Sequence, residues 1–227
     1  MSTVSSNKKT MNVAEIAANL NSAGIPPEFG EDHSRLLIKT LRTLAQGEPI
    51  TNEGTVQISV ELGLPLEQVD EFLRGKTERD SDDNIIGLIG LSLNQDWAHR
   101  FEVNGNSLRT WCAWDTLFLP QIIGEEVMVE SESPLSGETV RLKLNGNGVT
   151  SSLPETSVVT IVTIDPDIHD VSSMEAVWGN FCHQVYFFPS REEAEEWAAD
   201  KDHIAILTVS EAYELGRLAF SSVLQYA

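Results

Sequence analysis

Two cysteines and one aspartate carry most of the chemistry this chain can offer. Cys112 lies in Leu108-Arg-Thr-Trp-Cys-Ala-Trp-Asp-Thr-Leu-Phe-Leu119, three residues before Asp115. The apolar spacing of Trp114, Leu117 and Phe118 predicts a helix here, with Thr110 able to cap it and Pro120 limiting or kinking it. On such a helix the i and i+3 side chains share a face, with Cβ atoms ~5–6 Å apart, so thiol and carboxyl could exchange a proton. Cys112 would then sit in the first turn, where unpaired N–H groups and the helix dipole favour a thiolate. Two acidic groups this close should titrate as a coupled unit, with one proton held toward neutral pH. The plainer reading of the pair is a small buried residue beside a surface or capping carboxylate, because i, i+3 pairs are common.

The second cysteine lies in Asn180-Phe-Cys-His-Gln-Val-Tyr-Phe-Phe188, an aromatic-rich segment that reads as a strand buried on both faces. Cys182 fits there as core filler. Side chains alternate along a strand, so His183 points away from Cys182 and makes a weak base for a Cys-His hydrolase. His33, His99, His169 and His203 show no ligand spacing, and no C-x-x-C or H-E-x-x-H motif suggests a zinc site. Two cysteines are too few for a disulfide scaffold and fit a reducing compartment.

The elements that must position these residues fall into two parts. Residues 1–10 form a polar tail, expected to be disordered. Residues 11–82 read as a helical subdomain, with short amphipathic helices over 11–23, 33–45, 55–62 and 66–73. The last two flank Leu62-Gly-Leu-Pro65, the pattern of a helix-turn-helix. DNA binding is nonetheless a poor reading, because Glu67, Asp70 and Glu71 stand where a groove-reading helix wants Arg, Lys, Asn or Gln. Residues 83–227 read as an α+β domain with a mixed or antiparallel sheet and flanking helices. A polar stretch, 76–84, separates the two parts. Strands are expected over 85–93, 100–103, 127–130, 139–144, 157–164, 182–188 and 203–209, with a tight turn at Asn104-Gly105. Ser190 opens one later helix through a capping box, and Ser210 opens the last.

The 227 residues hold 35 Asp and Glu against 15 Lys and Arg, a formal charge of −20. That balance repels phosphate backbones and anionic lipid at long range. It would also suit a high-salt cytoplasm. No uncharged apolar run approaches the ~20 residues of a membrane helix, and the N-terminus lacks a secretory signal. A cytoplasmic protein with neither a nucleic-acid nor a membrane partner is the expectation.

At Trp-Cys-Ala-x-Asp (111–115) and Phe181-Cys182 the sequence resembles the alkylmercury lyases, or organomercurial lyases, of bacterial mercury resistance. The resemblance extends through Gly90-Leu-Ser-Leu93, His99-Arg-Phe-Glu-Val103, Ile122-Ile-Gly124, Phe187-Phe188 and residues 194–198, and in the helical part through Leu41-Arg-Thr-Leu-Ala45 and Asn84-Ile-Ile-Gly87. It implies protonolysis of the carbon–mercury bond of alkyl- and arylmercury compounds to a hydrocarbon and mercuric ion. It assigns catalysis to Cys112, Asp115 and Cys182, with Cys112 and Cys182 holding the product mercury and Asp115 as a weak ligand. Trp111 and Phe181 become candidates to wall the substrate pocket, and Trp114 more a core residue. No resident cofactor is implied. Low-molecular-weight thiols are needed for turnover, a mercuric reductase is the expected product acceptor, and the N-terminal part should be winged-helix-like without needing DNA. The sequence departs from the family at His183, where many members have a further cysteine, and at Ser133, where some have one.

The inorganic chemistry agrees with that implication. Mercury is soft, and thiolates outcompete carboxylate, imidazole and water for it. Thiolates added to the metal push electron density onto its carbon, which becomes basic enough to take a proton from a nearby acid. The same thiols would also serve a mercury-binding sensor, scavenger or regulator that never cleaves carbon, and Asp115 is the residue that separates the two readings.

Overall fold

Leucine and isoleucine at three- and four-residue spacing build the first elements. In the computed structural model, which describes residues 11–165 and 167–227, these are α1 (Val13–Ser22), α2 (Glu31–Leu44), α3 (Asn52–Leu62) and α4 (Leu66–Leu73). The expected tail, residues 1–10, lies outside the described residues. Asn12 opens α1 through a reciprocal capping box with Glu15, and Thr51 caps α3 by accepting the Gly54 N–H. On α4, Val69, Phe72 and Leu73 are buried while Glu67, Asp70 and Glu71 are exposed. That helix presents carboxylates to its surroundings, where phosphate recognition would need donors.

The polar stretch 76–84, expected only to separate two parts, instead contains a strand. Here β1 (Thr77–Arg79) pairs antiparallel with β2 (Ile85–Leu88) and begins the main sheet. β2 turns through Ile89-Gly90 into β3 (Leu91–Ser92). The hairpin of β4 (His99–Val103) and β5 (Asn106–Thr110) closes at Asn104-Gly105, with φ of 53° and 78°, the left-handed pair that an Asn-Gly turn favours. After α5 (Asp115–Ile123) come β6 (Val127–Glu132), β7 (Thr139–Asn145) and β8 (Gly148–Leu153). The sheet order is β1-β2-β3-β5-β4-β6-β7-β8. Every pairing in it is antiparallel. Along β7, Val140, Leu142 and Leu144 face inward and alternate with exposed residues, as a half-solvated antiparallel sheet requires.

The chain continues through β9 (Val158–Val162), α6 (Met174–Asn180), a 3₁₀ turn at Cys182–Gln184, β10 (Phe187–Phe188), α7 (Arg191–Trp197), β11 (Ile204–Thr208), α8 (Val209–Ala219) and α9 (Ser221–Leu224). β9 is buried along its whole length because it is the centre of a second antiparallel sheet, β10-β9-β11. One apolar core runs from Ile16 and Leu41 through Leu117 and Ile122 to Leu142 and Leu215, so helices and sheet share it. Arg42 on α2 donates through Nε to the Ile123 carbonyl at 2.9 Å, satisfying the C-terminal end of α5. The expected α+β class with antiparallel sheets and flanking helices is what is found.

Three local expectations need correction. Segment 182–188 is not one strand: Gln184 and Val185 donate back to the Phe181 and Cys182 carbonyls, leaving only Phe187 and Phe188 to pair with β9. Ser190 does cap α7, but the Glu193 carboxylate bonds Ser133 and Ser136 and does not return to Ser190. Finally, Thr208 opens α8 in place of Ser210, in a reciprocal box with Glu211.

Candidate active site

The residues between β5 and α5 depart from the expected geometry. Thr110 donates its hydroxyl to the Cys112 carbonyl at 2.9 Å and does not cap a helix. α5 begins only at Asp115, so Cys112 lies in the bend before it, and Pro120 is accommodated inside a helix that runs on to Ile123. The expected dipole-stabilised thiolate is therefore overturned. Cys112 has no exposed surface, and burial pushes its thiol well above the ordinary range, aided by its hydrogen bond with Cys182 and the charge of Asp115.

What joins the pair is a hydrogen bond. The Cys112 backbone N–H donates to Asp115 Oδ2 at 2.7 Å. Burial raises the Asp115 acid to about 7, against the hydrogen bonds from the Cys112 amide and thiol that favour its carboxylate. A carboxyl poised at neutral pH can both take and give a proton.

Cys182 enters from the 3₁₀ turn that follows α6. Its side chain hydrogen-bonds that of Cys112, which favours a thiolate on Cys182, but burial and the Asp115 charge outweigh this and leave its pKa raised. Of the two sulfurs, Cys182 is the one that carries a stabilising S–H partner. It is also the one that meets open space. A cavity of about 310 Å³ is lined by Gly90, Trp111, Trp114, Asp115, Phe181 and Cys182, with Val177 of α6 and Phe118 completing its apolar walls. Cys112 does not line it and stands behind the other two.

Gly90 explains how the β2–β3 turn can lie directly on the carboxyl group. Its φ is +92°, and a Cβ there would fall 2.5 Å from Asp115 Cγ. Beside it Ile89 holds φ of 41°, an uncommon conformation for a β-branched residue, and also lines the cavity. The Gly90 carbonyl accepts the Trp111 N–H at 2.9 Å, so this turn also holds the residue before the thiol.

The structure thus brings Cys112, Asp115 and Cys182 together, and places Trp111 and Phe181 in the cavity wall. Trp114 borders the cavity too, but its indole N–H donates to the Ala212 carbonyl at 3.0 Å and its ring packs on Phe118 and Phe181. His183 is exposed, against Trp97 with ring centroids 6.2 Å apart, and does not line the cavity. Ser133 is buried elsewhere, bonded to Glu193. Sequence reasoning missed Ile89, Gly90 and the whole of α6. Ser173 followed by Met174, Val177 and Trp178 was the available signal for that helix, as a cap before apolar residues at helical spacing.

A family model described as alkylmercury lyase matches residues 93–221. The chain is 36% identical over 208 residues to an alkylmercury lyase of Bacillus cereus, covering 91% of this chain and 90% of that one. It is 34% identical over 221 residues to one of Pseudomonas putida, with 96% of each chain covered. A crystal structure of the mercury-bound form of MerB2 shares the fold, with a TM-score of 0.70 at 20% identity, over 93% of this chain and 98% of that one.

Proposed function

The chain belongs to the alkylmercury lyase family, and from that premise we propose how its own residues break the carbon–mercury bond of an organomercurial. Cys182, at the cavity surface, takes the organomercury cation R–Hg from its incoming thiolate, and the Cys182 proton leaves with that thiol. Cys112 then adds to the mercury and passes its proton to the Asp115 carboxylate. With two sulfurs on the metal, the carbon accepts this proton from Asp115 as the carbon–mercury bond breaks. The products are the hydrocarbon and mercuric ion held between Cys112 and Cys182, with Asp115 returned as a carboxylate and a weak ligand. The proton added to carbon is the one Cys112 lost, so the step balances without a resident cofactor.

The convergence of both sulfurs on one carboxyl group raised to about 7 carries this reading. General acid–base help from Asp115 is worth ~10²–10⁴-fold, and fixing metal and acid together contributes effective molarities of ~10⁵–10⁸ M. Trp111 and Phe181 exclude water and accept alkyl or aryl groups. A mercuric ion on two thiolates is tightly held, so external thiols, and a mercuric reductase as acceptor, complete the turnover. No helix among the described residues is long and apolar enough to cross a membrane, and we read the site's unpaired thiols as those of a cytoplasmic protein. We further read α2–α4 and the β1/β2 pair, linked by the Ile50–Ile85 bridge, as a winged-helix-like element.

Headspace analysis tests the function. Methylmercury with excess thiol should yield methane over repeated turnovers. Bound methylmercury with no methane would make the chain a mercury binder.

A further inference from the structure

Trp97, Trp111 and Trp178 cluster beside the cavity, and of these Trp111 lines it. Trp97 and Trp178 stand behind, with ring centroids 5.2 Å apart, and Trp178 meets Trp111 edge-on at 5.3 Å. Trp178 belongs to α6, the helix whose Val177 forms the facing part of the wall. Edge contacts add only ~0.5–1.5 kcal/mol each, and a buried indole N–H is ordinarily fixed by a hydrogen-bond partner as well. The Trp178 indole N–H is buried without a hydrogen-bond partner and supplies no such anchor. The other two indoles end on one group. Glu78 of β1 accepts Trp111 Nε1–H at 3.2 Å and Trp97 Nε1–H at 3.2 Å, both on Oε2. The same carboxylate accepts the Ser92 hydroxyl at 2.7 Å and the Asn94 side-chain amide at 3.0 Å. Directly opposite Glu78 in the sheet is Gly87, where a Cβ would lie 2.8 Å from Glu78 Oε2. A glycine there leaves the carboxylate its room.

We propose that Glu78 is a positioning residue that sets substrate-size discrimination by holding Trp111 as a rigid wall of the cavity. The proposal rests on the lyase reading and names a residue outside the reacting group. Hydrogen bonds to a charged acceptor are the stronger kind, and here two of them converge on the indoles from a strand of the N-terminal half. A phenyl group extends farther from the mercury than a methyl group, so its fit depends more on where the Trp111 wall stands. Loss of the anchor should therefore be felt more by arylmercury than by methylmercury.

The test compares phenylmercury and methylmercury turnover in wild type, Glu78→Leu and Glu78→Gln. For Glu78→Leu, kcat/KM for phenylmercury should fall about tenfold, mainly through KM, while methylmercury stays within about twofold. Tryptophan emission should shift to the red and become easier to quench with acrylamide. Glu78→Gln keeps an acceptor for the indoles and should restore phenylmercury to within about threefold. Equal loss on both substrates, or unchanged turnover of both, overturns the proposal. If Glu78→Leu does not fold, Gly87→Ala, which crowds the carboxylate off the indoles, should show the same selective loss, and equal or no loss overturns it again. A wild-type protein that releases no benzene at all would instead remove the lyase reading beneath it.

Discussion

The Asp115 carboxylate accepts the backbone N–H of Cys112 at 2.7 Å, from the first residue of α5 back to the bend that precedes it. The bond fixes the acid relative to the thiol without using the thiol's own proton. It also stabilises a carboxylate in a site where burial alone would push the acid still higher. Donor and nucleophile are thereby held as one unit before substrate arrives.

The proton inventory of that unit predicts the pH profile. The relay needs Asp115 as carboxylate while Cys112 keeps its proton, so below pH 7 the pair holds one proton too many. kcat/KM for methylmercury should rise about tenfold per unit toward pH 7 and then level off. A rate that falls as pH rises from 5 to 7 would contradict the assignment.

Stability should move the opposite way. A raised acid favours the folded state when protonated, so its contribution is present below 3.8 and is lost as pH climbs through about 7. A shift of that size corresponds to about 4 kcal/mol. Asp115→Asn keeps an acceptor for the Cys112 amide but no charge. It should melt higher than wild type at pH 8, with the gain vanishing near pH 4, in thermal melts across that range.

Gly90→Ala should impair the site from outside it. The added methyl meets Asp115 Cγ at 2.5 Å, and the backbone must keep φ of +92°. We expect kcat to fall at least about tenfold and stability to fall by about 1–3 kcal/mol. Wild-type kcat in a folded Gly90→Ala variant would show that the turn does not hold the carboxyl group.

The two sulfurs should be distinguishable. Cys182 lines the cavity and Cys112 is fully buried behind it. Under native conditions a small alkylating agent, followed by peptide mass mapping, should label Cys182 first. Cys112→Ser should still take up methylmercury on Cys182 but lose methane release, whereas Cys182→Ser should lose uptake as well. Faster labelling of Cys112 would reverse the proposed order of attack.

Much of this site could be read before the fold was known, and the exceptions have physical causes. Cys112 and Asp115 are close in sequence, so their proximity survived even though the helix begins later than its apolar spacing suggested. The arrival of Cys182 had no local signal: its neighbours Phe181, Tyr186 and Phe187 read as a strand, and only the resemblance joined it to Cys112. Helix α4 and the Asn104-Gly105 hairpin followed from apolar spacing and turn chemistry. By contrast, β8 is largely exposed and lacks alternation, and β1 hides in a charged stretch. Gly90 and Glu78 act through contacts that cross between separate elements, which no short window of sequence displays.

In this mechanism Asp115 delivers the proton to carbon. Single-turnover headspace analysis of Asp115→Asn loaded with one equivalent of methylmercury addresses it directly. The metal should stay bound while methane falls by about 10²–10⁴-fold relative to wild type. Methane released at the wild-type rate would contradict it.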